Sequence, residues 1–193
     1  MQIGLFFGTF NPIHVGHLII ANYMAENSGL EQVWLVVTPH NPLKNKAALL
    51  DDYQRLEMVY RATEDFGKLR PTDIEFKLPQ PSYTVNTLAL LSEKYSEHRF
   101  SLIIGEDNLK TFHKWKNYEY ILKYHQLYVY PRLTAEKIDE SLVNHPNIHY
   151  TEAPIIEISS TFIRNQIQAG KNVRAMLPDK VWKYLDEMNF YRK

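Results

Sequence analysis

Four short runs, at residues 3–7, 33–37, 100–104 and 126–130, are apolar, β-branched or aromatic at nearly every position. A strand with one face in water alternates polar and apolar side chains, so runs without alternation belong to central strands covered on both faces. Weaker strand candidates lie at 69–74 and 148–150. Helical patterns fill the intervals. Residues 18–25 read as a helix ending near Gly29, and a second starts at Asp51 or Asp52 and carries Leu56, Val59, Tyr60 and Ala62. Ser82 or Thr84 caps a third with Leu88, Leu91 and Tyr95, while Pro178-Asp179 opens a last one with Val181, Leu185 and Met188 on one face. This alternation predicts one α/β domain over residues 1–193: a doubly wound, mostly parallel sheet with helices on both faces. In such sheets ligands bind beyond the carboxyl ends of the strands.

The segment Gly8-Thr9-Phe10-Asn11-Pro12-Ile13-His14-Val15-Gly16-His17 occupies the first of those ends, between a strand and a helix. Free backbone N–H groups and the dipole of a helix start both favour an anion there. His14 and His17 add side-chain donors, and Gly16 suits close backbone approach to a ligand. A metal site is the other chemistry open to two imidazoles, although no third ligand stands nearby in sequence. A surface or core role is the usual fate of a lone histidine, but two at a strand–turn–helix junction favour the anion.

Three further clusters belong with it. In Ile158-Ser159-Ser160-Thr161-Phe162-Ile163-Arg164, Ser159 or Ser160 is an N-cap, and Phe162, Ile163 and Ile167 form a candidate buried stripe. Taken alone, the segment reads first as a well-capped helix; yet Arg164 falls one turn inside, within reach of an anion at the helix start. Gly105, Glu106 and Asp107 follow the third strong run, where a carboxylate suits ribose hydroxyls; a plain turn into a helix fits equally well. Ser82, Tyr83 and Thr84, with Phe112 and Trp115 beside Lys114 and Lys116, suit a flat ring bearing a carboxylate, with core packing as the alternative for the tryptophan. The loop at 38–46 holds His40, Lys44 and Lys46 over the strand ends and suits a cover.

Much is excluded. The chain has no G-x-x-x-x-G-K-[ST], G-x-G-x-x-G, H-E-x-x-H or G-x-S-x-G pattern. It has no cysteine, so disulfides, thiolate metal sites and a cysteine nucleophile are out. Lys+Arg and Asp+Glu are equal at 22 each, with no basic stripe for nucleic acid. No signal-type or membrane-length apolar run is present, so the expectation is a cytoplasmic protein with no membrane partner.

The loop G-T-F-x-P-x-H-x-G-H at 8–17 and the I-S-S-T-x-I-R helix start at 158–164 resemble the nucleotidyltransferase superfamily, which joins a nucleotide to a phosphorylated acceptor. Within it, Ser82-Tyr83-Thr84 with Thr87-Leu88, Gly105-x-Asp107, and Phe112 with Trp115 are similar to the nicotinate-nucleotide adenylyltransferase family of NAD synthesis. The resemblance implies a Rossmann-like fold of the nucleotidyltransferase type, with ATP and nicotinate mononucleotide as partners. It implies catalytic roles for His14, His17 and Arg164, and ATP binding by Gly8, Thr9, Phe10, Gly105, Asp107, Ser159, Ser160 and Thr161 with those three. Lys44, Tyr83, Thr84 and Trp115 would take the nicotinate nucleotide. Mg²⁺ would arrive on the ATP phosphates, with no protein side chain as ligand, and a homo-oligomer is compatible with the resemblance. Nicotinamide mononucleotide or phosphopantetheine are the alternative acceptors, and a non-catalytic nucleotide sensor is the alternative class. Phe7 and Asn11 stand where many relatives have glycine and aspartate, and Pro42-Leu43-Lys44 where many have Pro-His-Lys.

Overall fold

The computed structural model describes residues 1–39, 49–133 and 138–192. Six strands, β1 (Gln2–Gly8), β2 (Gln32–Val37), β3 (Leu69–Thr72), β4 (Arg99–Gly105), β5 (Leu127–Tyr130) and β6 (Ile148–Tyr150), form one sheet in the order β3-β2-β1-β4-β5-β6. Every pairing is parallel, so the expected mostly parallel sheet is parallel throughout the described residues. The two weak candidates are its edges. β3 stops at Thr72, short of the expected residue 74, because the Thr72 hydroxyl accepts from the Ile74 N–H at 3.3 Å and turns the chain.

The helices are α1 (Val15–Asn27), α2 (Asp52–Thr63), α3 (Thr84–Lys94), α4 (Glu106–Lys110), α5 (Tyr118–Tyr124), α6 (Glu140–Val143), α7 (Ser160–Gln168) and α8 (Asp179–Glu187). Strand pleating sorts the core into two layers. Phe6, Val33, Leu35 and Val37 pack with Met24 of α1, Met58 of α2, Ile163 of α7 and Val181 of α8. Their neighbours Ile3, Leu5, Trp34 and Val36 turn to the other face and meet Leu88 and Leu91 of α3 and Ile121 of α5. Each such fully buried side chain contributes roughly 1.5–3 kcal/mol of transfer free energy, which is why these runs are so largely apolar.

Helix boundaries depart from expectation in instructive places. α1 begins at Val15, not residue 18, because His14 takes the N-cap with φ −138° and ψ 170°. Asp51 caps α2 by accepting from the Tyr53 N–H at 2.9 Å, so Asp52 lies inside the helix. Neither Ser82 nor Thr84 caps α3; Tyr83 is the N-cap and Thr84 the first helical residue. Ser159 caps α7, but Phe162 is exposed, since the buried face runs from Ile163 to Ile167 and Phe162 points about 100° away from it. Met188 is also exposed, one residue past the end of α8.

The order of strands reverses between β1 and β4. The carboxyl ends of β1, β2, β4 and β5 open there, at the switch point where α/β sheets place their ligands.

Candidate active site

Residues 9–14 connect β1 to α1, and the carbonyls of Thr9, Asn11 and Pro12 and the Asn11 side chain are held from outside the loop. Phe10 adopts φ 46°, the left-handed region that bulky residues rarely enter, so the surroundings must impose it. Arg55 of α2, wholly buried, donates from Nη1 to the carbonyls of Thr9 at 2.6 Å and Thr38 at 2.8 Å. Its Nε donates to Leu50 O at 3.1 Å, and its Nη2 pairs with Asp52. From the other side, Ser160 donates its hydroxyl to Pro12 O and Arg164 donates Nη1 to Asn11 O, both at 2.8 Å. The Tyr191 hydroxyl donates to Asn11 Oδ1 at 2.5 Å. Burial raises the pKa of that phenol strongly, against the opposing charges of Arg164 and Arg55, so it stays a neutral donor.

The two expected motifs therefore meet through direct hydrogen bonds. Arg164 also reaches Thr161 Oγ1 at 3.3 Å, and its side chain remains partly exposed at the start of α7. Ser159 is the cap, accepting from the Phe162 N–H at 3.1 Å, whereas Ser160 fastens the loop. Gly8 and Phe10 serve each other: a Cβ on Gly8 would lie 2.9 Å from the Phe10 ring. That ring is buried against His17, centroids 5.1 Å apart, so Phe10 supports the histidine from beneath.

His14 and His17 stack at 3.7 Å with 26° between their planes, over the start of α1. The His14 N–H donates to His17 Nδ1 at 3.2 Å, which leaves His17 Nε2 as the protonated nitrogen of a neutral ring. Burial, assisted by the charge of Arg132, lowers the His14 pKa to about 4. Burial, then His14, then Arg132 hold His17 well below its ordinary value. At neutral pH both rings are uncharged hydrogen-bonding groups. Gly16 lies under them, where a Cβ would come within 2.8 Å of Ile156 Cγ2 and 3.0 Å of His14 Nδ1, so no larger residue fits.

A notch of about 10 Å³, room for roughly one water, lies between the histidines, Arg132 and Ile156. Arg132 donates from Nη1 to Ile156 O at 2.8 Å across it, and its Nε stands 4.0 Å from Asp107 Oδ1. His14 Nδ1 and Arg132 Nε are buried with no hydrogen-bond partner among the described residues. Asp107 folds back over Gly105, where a Cβ would collide with its Oδ1. Glu106 accepts from the Arg132 N–H at 3.1 Å and fixes the turn after β5.

A second cavity of about 200 Å³ opens on the other face of β1, bringing Thr9 together with Ser82 and Thr84 at the start of α3. Phe6 lines the first cavity and Phe7 the second, because consecutive strand residues point to opposite faces. Trp115 and Tyr83 do not line it. Trp115 packs on Phe112 at 5.0 Å and is partly exposed, and Lys116 Nζ lies 4.3 Å over the exposed Tyr83 ring. Lys44, with His40 and most of the 38–46 loop, lies outside the described residues.

Sequence reasoning passed over Arg55, Arg132 and Tyr191. Arg132 stands two residues beyond β5, so the strand-end rule that singled out Asp107 would have found it. Nothing local marks Arg55, inside α2, or Tyr191, near the end of the chain. Among the described residues no group of three or more His, Cys, Asp and Glu side chains is placed to hold a metal, and no helix is long and apolar enough to cross a membrane.

The cytidylyltransferase-like family profile matches residues 5–166. The chain is 67% identical over 193 residues to the "Probable nicotinate-nucleotide adenylyltransferase" of Flavobacterium psychrophilum, covering 100% of both. It is 63% identical over 191 residues to the protein of that name from Christiangramia forsetii, covering 99% of this chain and 98% of that one. Among solved structures it resembles the Plasmodium falciparum nicotinic acid mononucleotide adenylyltransferase complexed with NaAD, with a TM-score of 0.79 at 18% identity, covering 98% of this chain and 97% of that one. At that identity the likeness is one of fold.

Proposed function

The chain belongs to the cytidylyltransferase-like family and, within it, to the nicotinate-nucleotide adenylyltransferases, and from this we propose that it transfers the adenylyl group of ATP to nicotinate mononucleotide. The products are nicotinate adenine dinucleotide and pyrophosphate. The observation that carries the reading is the pair of neutral, stacked histidines at the start of α1, on a loop bolted to α7 by Ser160 and Arg164.

The attacking oxygen belongs to a phosphate and is already anionic, so no strong base is required. What the reaction needs is alignment, and neutralisation of the charge that grows on departing pyrophosphate. The N–H groups at the start of α1, His17 and Arg132 supply donors at the notch, and Arg164 adds a guanidinium at the start of α7. Neutral imidazoles suit this task, because they cost less to bury empty than imidazolium ions and gain proton affinity as a polyanion arrives. On this reading Asp107, exposed beside Gly105, would take the ribose hydroxyls, and Thr84, in the wall of the second cavity, the acceptor. Mg²⁺ fits this site as an ion carried by the ATP phosphates, since the donors facing the cradle are N–H groups rather than a carboxylate cage; bound there, it neutralises phosphate charge.

The decisive measurement is pyrophosphate release from ATP with nicotinate mononucleotide, nicotinamide mononucleotide and phosphopantetheine offered separately. Fastest turnover with the nicotinate compound is expected. Nucleotide binding without release for any acceptor would favour a sensor and sink the proposal.

A further inference from the structure

One buried acid has no part in the chemistry above. Glu75, 2% exposed, lies in the wall of the 200 Å³ cavity beside Ser82 and Thr84. Its Oε1 accepts the Thr87 hydroxyl at 2.6 Å, while Oε2 is buried with no hydrogen-bond partner among the described residues. A carboxylate oxygen in that position is costly, and a neutral acid removes most of the cost by turning the orphan acceptor into an O–H donor. Burial raises the Glu75 pKa, opposed only by the hydroxyls of Thr87 and Ser82. Among the described residues no cation lines the cavity. The other described residues lining it from β1, the end of β2 and the turn before α3 are Phe7, Thr9, Thr38, Pro39, Gln80 and Pro81, and none of them titrates.

We infer that Glu75 is the residue that sets acceptor choice, presenting an O–H donor to an anionic ring substituent when neutral and repelling it when ionised. The inference rests on the proposed adenylyl transfer, in which the two candidate acceptors differ only in a ring carboxylate or a ring amide. The helix start at Thr84 already favours an anion. A second negative charge in the same wall would cancel that preference, whereas an ionised Glu75 would accept from the N–H₂ of an amide. The protonation state of one side chain thereby selects between a carboxylate and an amide of nearly equal size.

The test is the ratio of kcat/KM for nicotinate mononucleotide to that for nicotinamide mononucleotide, from about pH 5.5 to about pH 9. Ionisations of ATP, of the acceptor phosphate and of the histidines are common to both acceptors and cancel in the ratio. In the unaltered protein the ratio is expected to fall at least about tenfold across the range, since each pH unit above a group's pKa costs about a factor of ten in its protonated form. Glu75→Gln, which keeps a donor and cannot ionise, is expected to hold the ratio within about twofold throughout. Glu75→Leu, lacking any donor, lowers it at low pH. A flat ratio in the unaltered protein overturns the inference, as does a Glu75→Gln profile that follows it. The unaltered protein decides the matter even if both variants misfold. No release with either acceptor at any pH would refute the adenylyl-transfer reading itself, a different and separable outcome.

Discussion

Acid should destabilise this protein through His14 in a manner that can be calculated. Its folded pKa is about 4 against an ordinary 6.5, with burial the larger cause and Arg132 the smaller. Between those values the unfolded chain takes up a proton that the folded chain refuses. Stability is therefore unaffected by this group above about pH 6.5, falls as pH drops through the window, and levels off below about pH 4. A gap of about 2.5 pH units at about 1.36 kcal/mol each gives roughly 3.4 kcal/mol. The ring is only 4% exposed, so solvent screening takes little from that figure. Carboxylates also titrate here, and a double difference removes them. Urea unfolding would be measured at about pH 7 and about pH 4 for the protein and for His14→Gln, whose amide cannot charge. His17 titrates in both proteins, and burial, the larger cause of its lowered pKa, cancels; the smaller part due to His14 is lost in the variant and adds to the difference. The unaltered protein should lose about 3 kcal/mol more than the variant. A difference below about 1 kcal/mol would refute the picture of a buried ring held neutral.

Arg55→Met should lower stability by about 3 kcal/mol, because the buried carbonyls of Thr9 and Thr38 each lose a charged donor, offset partly by no longer burying a guanidinium. A urea midpoint that barely moves would count against the clamp. Arg132→Gln should let the His14 pKa climb back toward 6.5, as followed by the imidazole proton resonances, and raise the KM for ATP roughly tenfold for the loss of one charged donor. An unchanged titration would show that its charge does not reach the histidine.

The central strands were legible because burial on both faces leaves a local signature in each run, and both layers of the core follow from it. The helix starts were legible only in part. Ser159 behaves as a cap should, but α1 and α3 are capped by His14 and Tyr83, residues with no capping propensity. Phe162 looked like core because apolar character alone does not give an angle around a helix; Ile163 and Ile167 do. In the site, residues adjacent in sequence to a strand end were visible. Those acting from a distance, such as Arg55 across 46 positions and Tyr191 across 180, were not, since a contact between residues so far apart in sequence leaves no local pattern around either of them.

The same long separations govern the order of assembly. The hydrogen bonds from Ser160, Arg164 and Tyr191 to residues 11 and 12 span 148, 153 and 180 positions. Contacts of such length can form only after the sheet has brought both ends of the chain together, and their closure entropy must be met by interactions already in place. A half-folded chain can possess β1, α1 and both histidines and still lack a set phosphate loop. Nucleotide then binds the finished molecule alone, and its binding energy adds to the stability of that state and of no earlier one.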